Sequence, residues 1–219
     1  MDIDGTLTTC DTLALTSEKL GLPGSELATI SRSFQDGSLS EEQVHDLVLR
    51  RWQSSGKANR IDMEKIFRSL PLRDDAFDLI ARIRAMSLPS CLITSSMDFY
   101  AEIMAERLSV MNFYANLRLQ FDARDGTLSG LEFTKEAAFL KRAQLEKFCS
   151  AHDITPDQVM VIGNAENDQE MFEVTGNGVL LSDEGTGELA GTAWQVVSSL
   201  TEAADLLTPR RSRWFRWRK

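Results

Sequence analysis

The sequence predicts an α/β fold in which helices cover both faces of a parallel sheet. Three observations predict it. Short apolar runs alternate with helical patterns from about residue 91 onward, residues 10–74 are almost wholly helical in pattern, and polar residues follow the apolar runs. Because ligands of such sheets bind beyond the carboxyl ends of the strands, the polar residues there are the candidate site.

Composition and length agree with a globular chain. Of the 219 residues, 42% are hydrophobic and 26% are charged, and no apolar run approaches the roughly 18 residues of a membrane-spanning helix. The N-terminus opens with MDIDGT and shows no secretory signal, so we expect a cytoplasmic protein. Three cysteines without CxxC spacing and two separated histidines favour neither a disulfide framework nor a zinc site.

The charge is unevenly distributed along the chain. The net charge is −9, but the last ten residues hold six of the 24 basic residues and no acidic one. A body this acidic is a poor binder of nucleic acid, so we expect no nucleic-acid partner. The tail 209–219 alternates cations with aromatic residues, which leaves two interpretations open. It is a weak contact for an anionic membrane or a protein, or a basic terminus that neutralises the body.

The elements follow in order along the chain. In the segment 10–74, apolar residues recur at helical spacing, and Ser40 with Gln43 has the spacing of a capping box. We expect this segment to form a helical unit inserted into a core made of residues 1–9 and 75–208. The later pattern predicts helices over 76–86, 98–108, 138–152, 168–175, near 187 and over 200–207, strands over 91–93, 159–162, 178–181 and 194–198, and a hairpin over 113–134.

The N-terminal Asp2 and Asp4 form the first candidate site. Residues at i and i+2 of an extended backbone share one face, and two like charges repel there unless a cation or a proton intervenes. Taken alone, this pattern fits a solvated, Asp-rich loop equally well.

Three further groups follow the predicted strands. Thr94, Ser95 and Ser96 precede a helix and suit either a phosphate cradle or an ordinary N-cap. The stretch 163–168 is an acidic turn, and Lys141 is either a site residue or a solvated helix charge. Placed at one sheet edge, the carboxylates, hydroxyls, lysine and acidic turn fit Mg²⁺-assisted phosphoryl transfer.

These motifs resemble the haloacid dehalogenase-like phosphatase superfamily, and its phosphoserine phosphatase branch in particular. The opening Asp2–Thr6 matches the signature DxDGT, and Leu92–Glu102 is similar to the strand–Ser-Gly-Gly–helix segment of that branch. Residues 113–130 resemble its hairpin, Lys141 has the spacing of its lysine helix, and Val161–Asp168 resembles its GDxxND loop. The resemblance covers residues 1 to about 182 and implies a Rossmann-like sheet with an inserted helical-bundle cap.

The resemblance also implies a mechanism, with a role for each catalytic residue. Asp2 is the nucleophile that forms an aspartyl-phosphate, and Asp4 is the general acid and then the general base. Thr94 donates a hydrogen bond to a phosphoryl oxygen, and Lys141 offsets negative charge.

Metal and substrate ligands follow from the same resemblance. Mg²⁺ is expected at Asp2, the Asp4 carbonyl and the acidic loop, through Asn164 and Asp168. The substrate is expected to be a small phosphorylated metabolite, phosphoserine-like, in a Mg²⁺-dependent phosphomonoester hydrolase. The expected substrate-binding residues are Asp11, Arg50 (or Arg51), Ser95, Ser96 and Asn167.

Several substrate residues keep an alternative. Asp11 stands where the phosphoserine branch carries a longer Glu that binds the substrate amine, so phosphoserine itself stays open. For the arginines the alternative is a solvated helix face.

Two departures from the family pattern carry expectations of their own. Asn164 stands where the family has Asp, so we expect weaker Mg²⁺ binding and a slower or metal-demanding enzyme, with Glu166 and Asp168 compensating in part. Only Met1 precedes the nucleophile, where the family has a strand of about five residues, so we expect the first core strand to be missing or truncated. Two rival functions stay open, namely a catalytically impaired binding or regulatory module and a phosphotransferase that uses the same intermediate.

Overall fold

The computed structural model describes residues 1–133, 137–182 and 188–207. Residues 134 and 187 and the tail 209–219 lie outside these ranges, so the expectations about them stay predictions. The helices are α1 (Thr12–Lys19), α2 (Gly24–Gln35), α3 (Glu41–Ser54), α4 (Arg60–Arg68), α5 (Ala76–Ala85), α6 (Asp98–Leu108), α7 (Ala137–Ala151), α8 (Gln169–Thr175), α9 (Glu188–Thr192) and α10 (Leu200–Asp205). The strands are β1 (Cys91–Met97), β2 (Asn112–Phe121), β3 (Leu128–Phe133), β4 (Val161–Gly163), β5 (Gly178–Leu181) and β6 (Gln195–Val197).

The helical segment α1–α4 lies between the Asp4 turn and α5, as its apolar spacing predicts. The capping box at the start of α3 is confirmed, because the Ser40 hydroxyl accepts from the Gln43 N–H (3.3 Å) and the Gln43 side chain accepts from the Ser40 N–H (2.8 Å). Trp52 of α3 is fully buried and donates from Nε1 to the Ser17 hydroxyl of α1 at 2.8 Å. The helices therefore pack on one another through a shared apolar core.

The strands form two three-stranded sheets. In the first, β1 pairs with β2 in parallel and β2 pairs with β3 as an antiparallel hairpin; in the second, β4, β5 and β6 are parallel in that order. The strand predicted over 91–93 extends to Met97, with a register irregularity between Thr94 and Met97, whereas the strand predicted over 159–162 is limited to Val161–Gly163.

Met1 and Asp2 lie between the two sheets and connect them. The Met1 ammonium donates to the Cys91 carbonyl (2.9 Å), the Ile93 N–H donates to the Met1 carbonyl (2.8 Å), and the Asp2 N–H donates to the Ile162 carbonyl (3.0 Å). At the level of Asp2 the expected gap is therefore bridged by backbone hydrogen bonds on both sides. The spatial order is β3-β2-β1, then Met1–Asp2, then β4-β5-β6.

Helices cover both faces of the joined sheets, which confirms the predicted α/β class. Successive strand residues alternate between two apolar clusters, since Leu92 and Ile162 belong to one while Ile93 and Val161 belong to the other. The first cluster includes side chains of α5, α6 and α10, and the second includes side chains of α7 and α8. The candidate residues come together because they lie at the carboxyl ends of β1 and β4 and near the start of α7.

An apolar cavity of about 140 Å³ adjoins Met1. Its lining includes Leu88 and Cys91 on the β1 side, Val159 and Met160 before β4, and Phe148 of α7. The cavity continues the line of Met1–Asp2 toward the amino ends of both neighbouring strands. Among the described helices, none is long and apolar enough to cross a membrane.

Candidate active site

Asp2 and Lys141 form a buried ion pair at the centre of the site. Lys141, on α7, places Nζ 2.8 Å from Asp2 Oδ1, 2.8 Å from Asp168 Oδ1 and 3.0 Å from Asn167 Oδ1. Its side chain is wholly buried, and Asp2 is only 4% exposed. The alternative of a solvated helix lysine is therefore wrong.

The charges of this cluster do not balance. Burial raises the pKa of Asp2 above its ordinary value, and the Lys141 ammonium acts in the opposite direction. Burial lowers the pKa of Lys141, but the carboxylates of Asp2 and Asp168 outweigh it and raise the pKa above its ordinary value. One ammonium thus serves two buried carboxylates, and the excess negative charge favours a further cation or a proton.

A tight turn brings Asp4 to the same region. The Ile3 carbonyl accepts from the N–H groups of residues 6, 7 and 8, and Gly5 takes a φ of +77°, which favours glycine. A Cβ at Gly5 would also lie 2.2 Å from the terminal amide of Asn164. The turn therefore needs glycine for its conformation and for the approach of the Asn164 loop.

The carboxyl group of Asp4 is held by two hydroxyls that the sequence did not identify. Thr12 Oγ1 and Tyr100 Oη both donate to Asp4 Oδ1, the latter at 3.2 Å. Burial raises the pKa of Asp4, and the hydrogen bonds from Thr12 and Tyr100 oppose that rise. Tyr100 is fully buried, and nothing in its helical pattern distinguishes it from a core aromatic residue.

Thr94, Ser95 and Ser96 lie in the irregular end of β1, directly before α6 as expected, but none of them is the N-cap of that helix. The strand extends to Met97, which is the N-cap residue of α6 and makes no side-chain cap bond. Buried Thr94 accepts from the Ser96 N–H (3.0 Å), Ser95 accepts from the Asn167 amide (3.1 Å), and the Ser96 side chain lies near enough to Asp4 to lower the pKa of its carboxyl. The structure therefore connects these hydroxyls with the Asp4 and Lys141 groups.

The loop after β4 is organised by Asp168. Its Oδ2 accepts from the N–H groups of Asn164 (3.0 Å) and Ala165 (3.2 Å), while its Oδ1 accepts from Lys141. A Cβ at Gly163 would lie 2.3 Å from Asp168 Oδ2, so glycine lets the carboxylate reach the loop backbone. Both Asp168 oxygens hold protein donors, and its role as a metal ligand stays a prediction.

Asn164 places its side-chain amide between Asp2 and Asp4. With Nδ2 turned toward them, the amide donates to the Asp4 carbonyl (2.9 Å), to Asp2 Oδ2 (3.2 Å) and to Thr6 Oγ1 (2.9 Å). The neighbouring Glu166 is exposed. The Asn164 side chain, rather than that of Glu166, thus meets the two candidate catalytic residues.

The structure gives Asp11 and Arg50 contacts away from this cluster. Asp11 is the N-cap of α1 and accepts from the Ala14 N–H at 2.9 Å. Arg50 pairs with Asp46 at 3.0 Å on the exposed face of α3. Arg51 pairs with Glu26 at 3.2 Å. These contacts are the cap and solvated-face roles that the sequence left open, so substrate binding by these residues stays a prediction.

Comparison with known proteins decides the family. The model of the haloacid dehalogenase-like hydrolases matches residues 1–173. The chain belongs to this family. The match extends over most of the chain and includes Asp2, Lys141 and the loop after β4.

Related proteins agree with this assignment. A phosphoserine phosphatase from Idiomarina loihiensis is 25% identical over 119 residues, which cover 54% of this chain and 53% of that protein. The match thus spans about half the length of the curated relative. A solved phosphoserine phosphatase with a phospho-aspartyl intermediate analogue has a TM-score of 0.72 at 22% identity, covering 94% of this chain and 96% of that one. The probable phosphoserine phosphatase of Vibrio cholerae has a TM-score of 0.70 at 20% identity, covering 93% and 62%.

Proposed function

We propose that this hydrolase is a Mg²⁺-dependent phosphomonoesterase that forms an aspartyl-phosphate on Asp2 and acts on a small, phosphoserine-like metabolite. The observation that carries it is the pair of carboxylates, the buried Asp2 held by Lys141 and the half-buried Asp4 held by two hydroxyls. Two carboxyl groups in different environments suit a nucleophile and a proton donor. The phosphoserine phosphatases among the related proteins support the substrate class.

The proposed reaction has two steps, and each step forms one bond at phosphorus and breaks another. In the first, an Asp2 carboxylate oxygen attacks phosphorus, the ester P–O bond breaks, and the Asp4 carboxyl proton goes to the leaving alcohol oxygen. In the second, Asp4 takes a proton from water as the water oxygen attacks phosphorus, and the Asp2 carboxylate leaves. Lys141 holds Asp2 in place and offsets charge on the phosphoryl oxygens.

The oxygen atoms near Asp2 fit a hard cation. Asp2 Oδ2, the Asp4 carbonyl and the Asn164 amide would hold Mg²⁺, and the excess carboxylate charge favours it. Within the described residues, no group of three His, Cys, Asp or Glu side chains could hold a metal, so the donor set depends on the neutral carbonyl and amide. When bound, the cation neutralises charge on the transferred phosphoryl group.

The helical segment is proposed to shield the reaction. Thr12 of α1 reaches Asp4, and the α4 residue Arg60 lies 4.2 Å above the Phe99 ring of α6. A helical unit beside the two carboxylates can exclude water and select a small substrate. Thr94, Ser95, Ser96 and Asn167 are proposed to contact the phosphoryl group beneath it.

Phosphate release from a panel of phosphomonoesters tests the function. We expect turnover of phosphoserine or another small metabolite that needs Mg²⁺, is lost in EDTA and is abolished by Asp2→Asn. The matched control is Asp205→Asn, an exposed carboxylate on α10 that pairs with Arg82. A folded wild-type protein with no turnover at high Mg²⁺ would contradict the proposal and favour a binding module. Transfer to an added alcohol with little free phosphate would favour a phosphotransferase.

A further inference from the structure

The terminal amide of Asn164 lies among three oxygen atoms, so the choice of the atom that faces them, nitrogen or oxygen, decides its chemistry. The outer atom of this amide lies 2.9 Å from the Asp4 carbonyl, 3.2 Å from Asp2 Oδ2 and 2.9 Å from Thr6 Oγ1. If that atom is nitrogen, its two N–H groups are shared among these three oxygens. If it is oxygen, it accepts from the Thr6 hydroxyl and faces two further acceptors.

The Thr6 hydroxyl can hydrogen-bond with either atom of the Asn164 amide. Its hydroxyl is fully buried, lies 3.4 Å from Asp2 Oδ2 and 2.9 Å from the Asn164 terminal atom. When Asn164 presents nitrogen, Thr6 accepts from it and gives its own proton to Asp2; when Asn164 presents oxygen, Thr6 donates to that oxygen. The hydrogen bonds are therefore all satisfied with nitrogen at this place, whereas with oxygen the Asp4 carbonyl and Asp2 Oδ2 face a third acceptor and need a cation between them.

The oxygen orientation matches the geometry of a hard cation site. Around Mg²⁺, with Mg–O distances near 2.1 Å and octahedral geometry, neighbouring ligand oxygens lie about 3 Å apart. The separations of the Asn164 atom from the Asp4 carbonyl and Asp2 Oδ2 are of that size. The nitrogen orientation instead ties the same two oxygens together by hydrogen bonds.

We propose that the Asn164 amide replaces a divalent cation in the metal-free protein and turns over to ligate Mg²⁺ when the cation binds. Without Mg²⁺, its NH₂ group bridges Asp2 and Asp4 and holds the loop after β4 against the Gly5 turn. Mg²⁺ must displace these hydrogen bonds and gains a neutral ligand in exchange. A carboxylate at this position would have the opposite effects. It would destabilise the metal-free protein, because it repels Asp2, and it would bind the cation more tightly than the amide does.

The variant Asn164→Asp tests this exchange without any turnover. In EDTA we expect its unfolding midpoint to fall by about 4 °C or more, because the donors to the Asp4 carbonyl and Asp2 Oδ2 are lost and a further carboxylate is added beside Asp2. By calorimetry we expect its Mg²⁺ Kd to be about tenfold tighter than that of the wild type. Gln195→Glu, the same chemical change at an exposed site on β6, should alter neither value.

A wild-type midpoint in EDTA, or a wild-type Mg²⁺ Kd, in Asn164→Asp would overturn the proposal. If that variant does not fold, the wild-type protein supplies the test through the nitrogen-15 signal of the Asn164 side-chain NH₂, identified by its loss in Asn164→Ser. We expect Mg²⁺ to shift this signal and to speed its exchange with solvent, whereas an unchanged signal at high Mg²⁺ would contradict the proposed turn of the amide.

The inference rests on the proposed function only for the choice of Mg²⁺. A failed phosphatase assay would leave the calorimetry and melting results standing.

Discussion

The role of Lys141 depends on its surroundings in the fold. In the sequence it is a helix lysine, and in the fold it is the buried cation between Asp2 and Asp168. Buried charges are stable only when paired and hydrogen-bonded, so these side chains depend on one another.

Replacing Lys141 by methionine should therefore be costly. Lys141→Met leaves two buried carboxylates without their cation, and we expect a loss of about 3–5 kcal/mol in the free energy of unfolding. Urea unfolding in EDTA measures it. Lys147→Met removes a lysine from the exposed face of the same helix and should cost about 1 kcal/mol or less. Equal stability of the two variants would contradict the buried-pair interpretation.

Tyr100 is expected to position Asp4 for proton donation. Tyr100→Phe removes one hydrogen bond to Asp4, and we expect kcat for an alkyl phosphate to fall about five- to tenfold. With p-nitrophenyl phosphate, whose leaving group needs no proton, kcat should change less than twofold by the same reasoning. Tyr114→Phe, the same change on β2, should leave both substrates unaffected. An equal loss on both substrates would assign Tyr100 a purely structural role.

The sequence predicted which residues lie at the strand ends of the site, but not the side chains that hydrogen-bond to them. The Asp2–Asp4 spacing and the loop 163–168 predicted a site because the carboxyl ends of strands converge. Thr12 and Tyr100 gave no signal, because a helix threonine and a core tyrosine have no distinctive spacing. Asp11 and Arg50 were proposed from position alone, and the structure gives them local helix contacts instead.

At the scale of elements, the helical segment is fastened to the core by specific contacts. The Arg60 N–H donates to the Gly126 carbonyl (2.8 Å), and the Gln53 side chain donates to the Leu128 carbonyl (2.8 Å). Both acceptors lie at the β2–β3 hairpin. This hairpin therefore contacts the segment directly and helps to fix its position relative to the core.

Trp52 is the central side chain of that segment. Trp52→Phe removes buried surface and the hydrogen bond to Ser17, so we expect a loss of about 1–3 kcal/mol in unfolding free energy. Trp194→Phe, at a ring that is 41% exposed, should cost less. Thermal unfolding of both variants compares them, and a larger loss in Trp194→Phe would contradict the assigned core.

Element boundaries were predicted less well than element types. The capping box at Ser40 located α3 because it is a local signal. The end of β1 was placed too early, because Thr94–Ser96 are polar and suit a helix cap, whereas the pairing of Thr94 and Met97 with β2 continues the strand on either side of Ser95 and Ser96. Strand limits depend on the neighbouring strand, which the local sequence does not contain.

At the scale of the whole molecule, Met1 and Asp2 join two sheets that would otherwise share no ladder. Three backbone hydrogen bonds make this connection. An apolar cavity lies next to Met1, between the residues that precede β1 and those that precede β4. The sequence predicted one parallel sheet with its first strand missing or truncated. It did not predict that two residues bridge two sheets, because that contact depends on β1 and β4 together.

An added apolar strand should fill this cavity. A four-residue Val-Ala-Ile-Val extension before Met1 would pair with the residues preceding β1 and β4 and bury apolar side chains, and we expect about 2 kcal/mol or more of added stability. A Gly-Ser-Gly-Ser extension of the same length should give little or none. Calorimetric unfolding compares the two, and equal midpoints would show that the cavity does not accept a strand.

The measurement that tests the proposed chemistry most directly is phosphate release by the wild type and by Asp2→Asn, with and without Mg²⁺. We expect the wild type to release phosphate from a small phosphomonoester only with Mg²⁺, and to carry a hydroxylamine-sensitive phosphoryl group when stopped during turnover. Asp2→Asn should fold and show neither property. Turnover that survives in Asp2→Asn would contradict the assignment of Asp2 as the nucleophile.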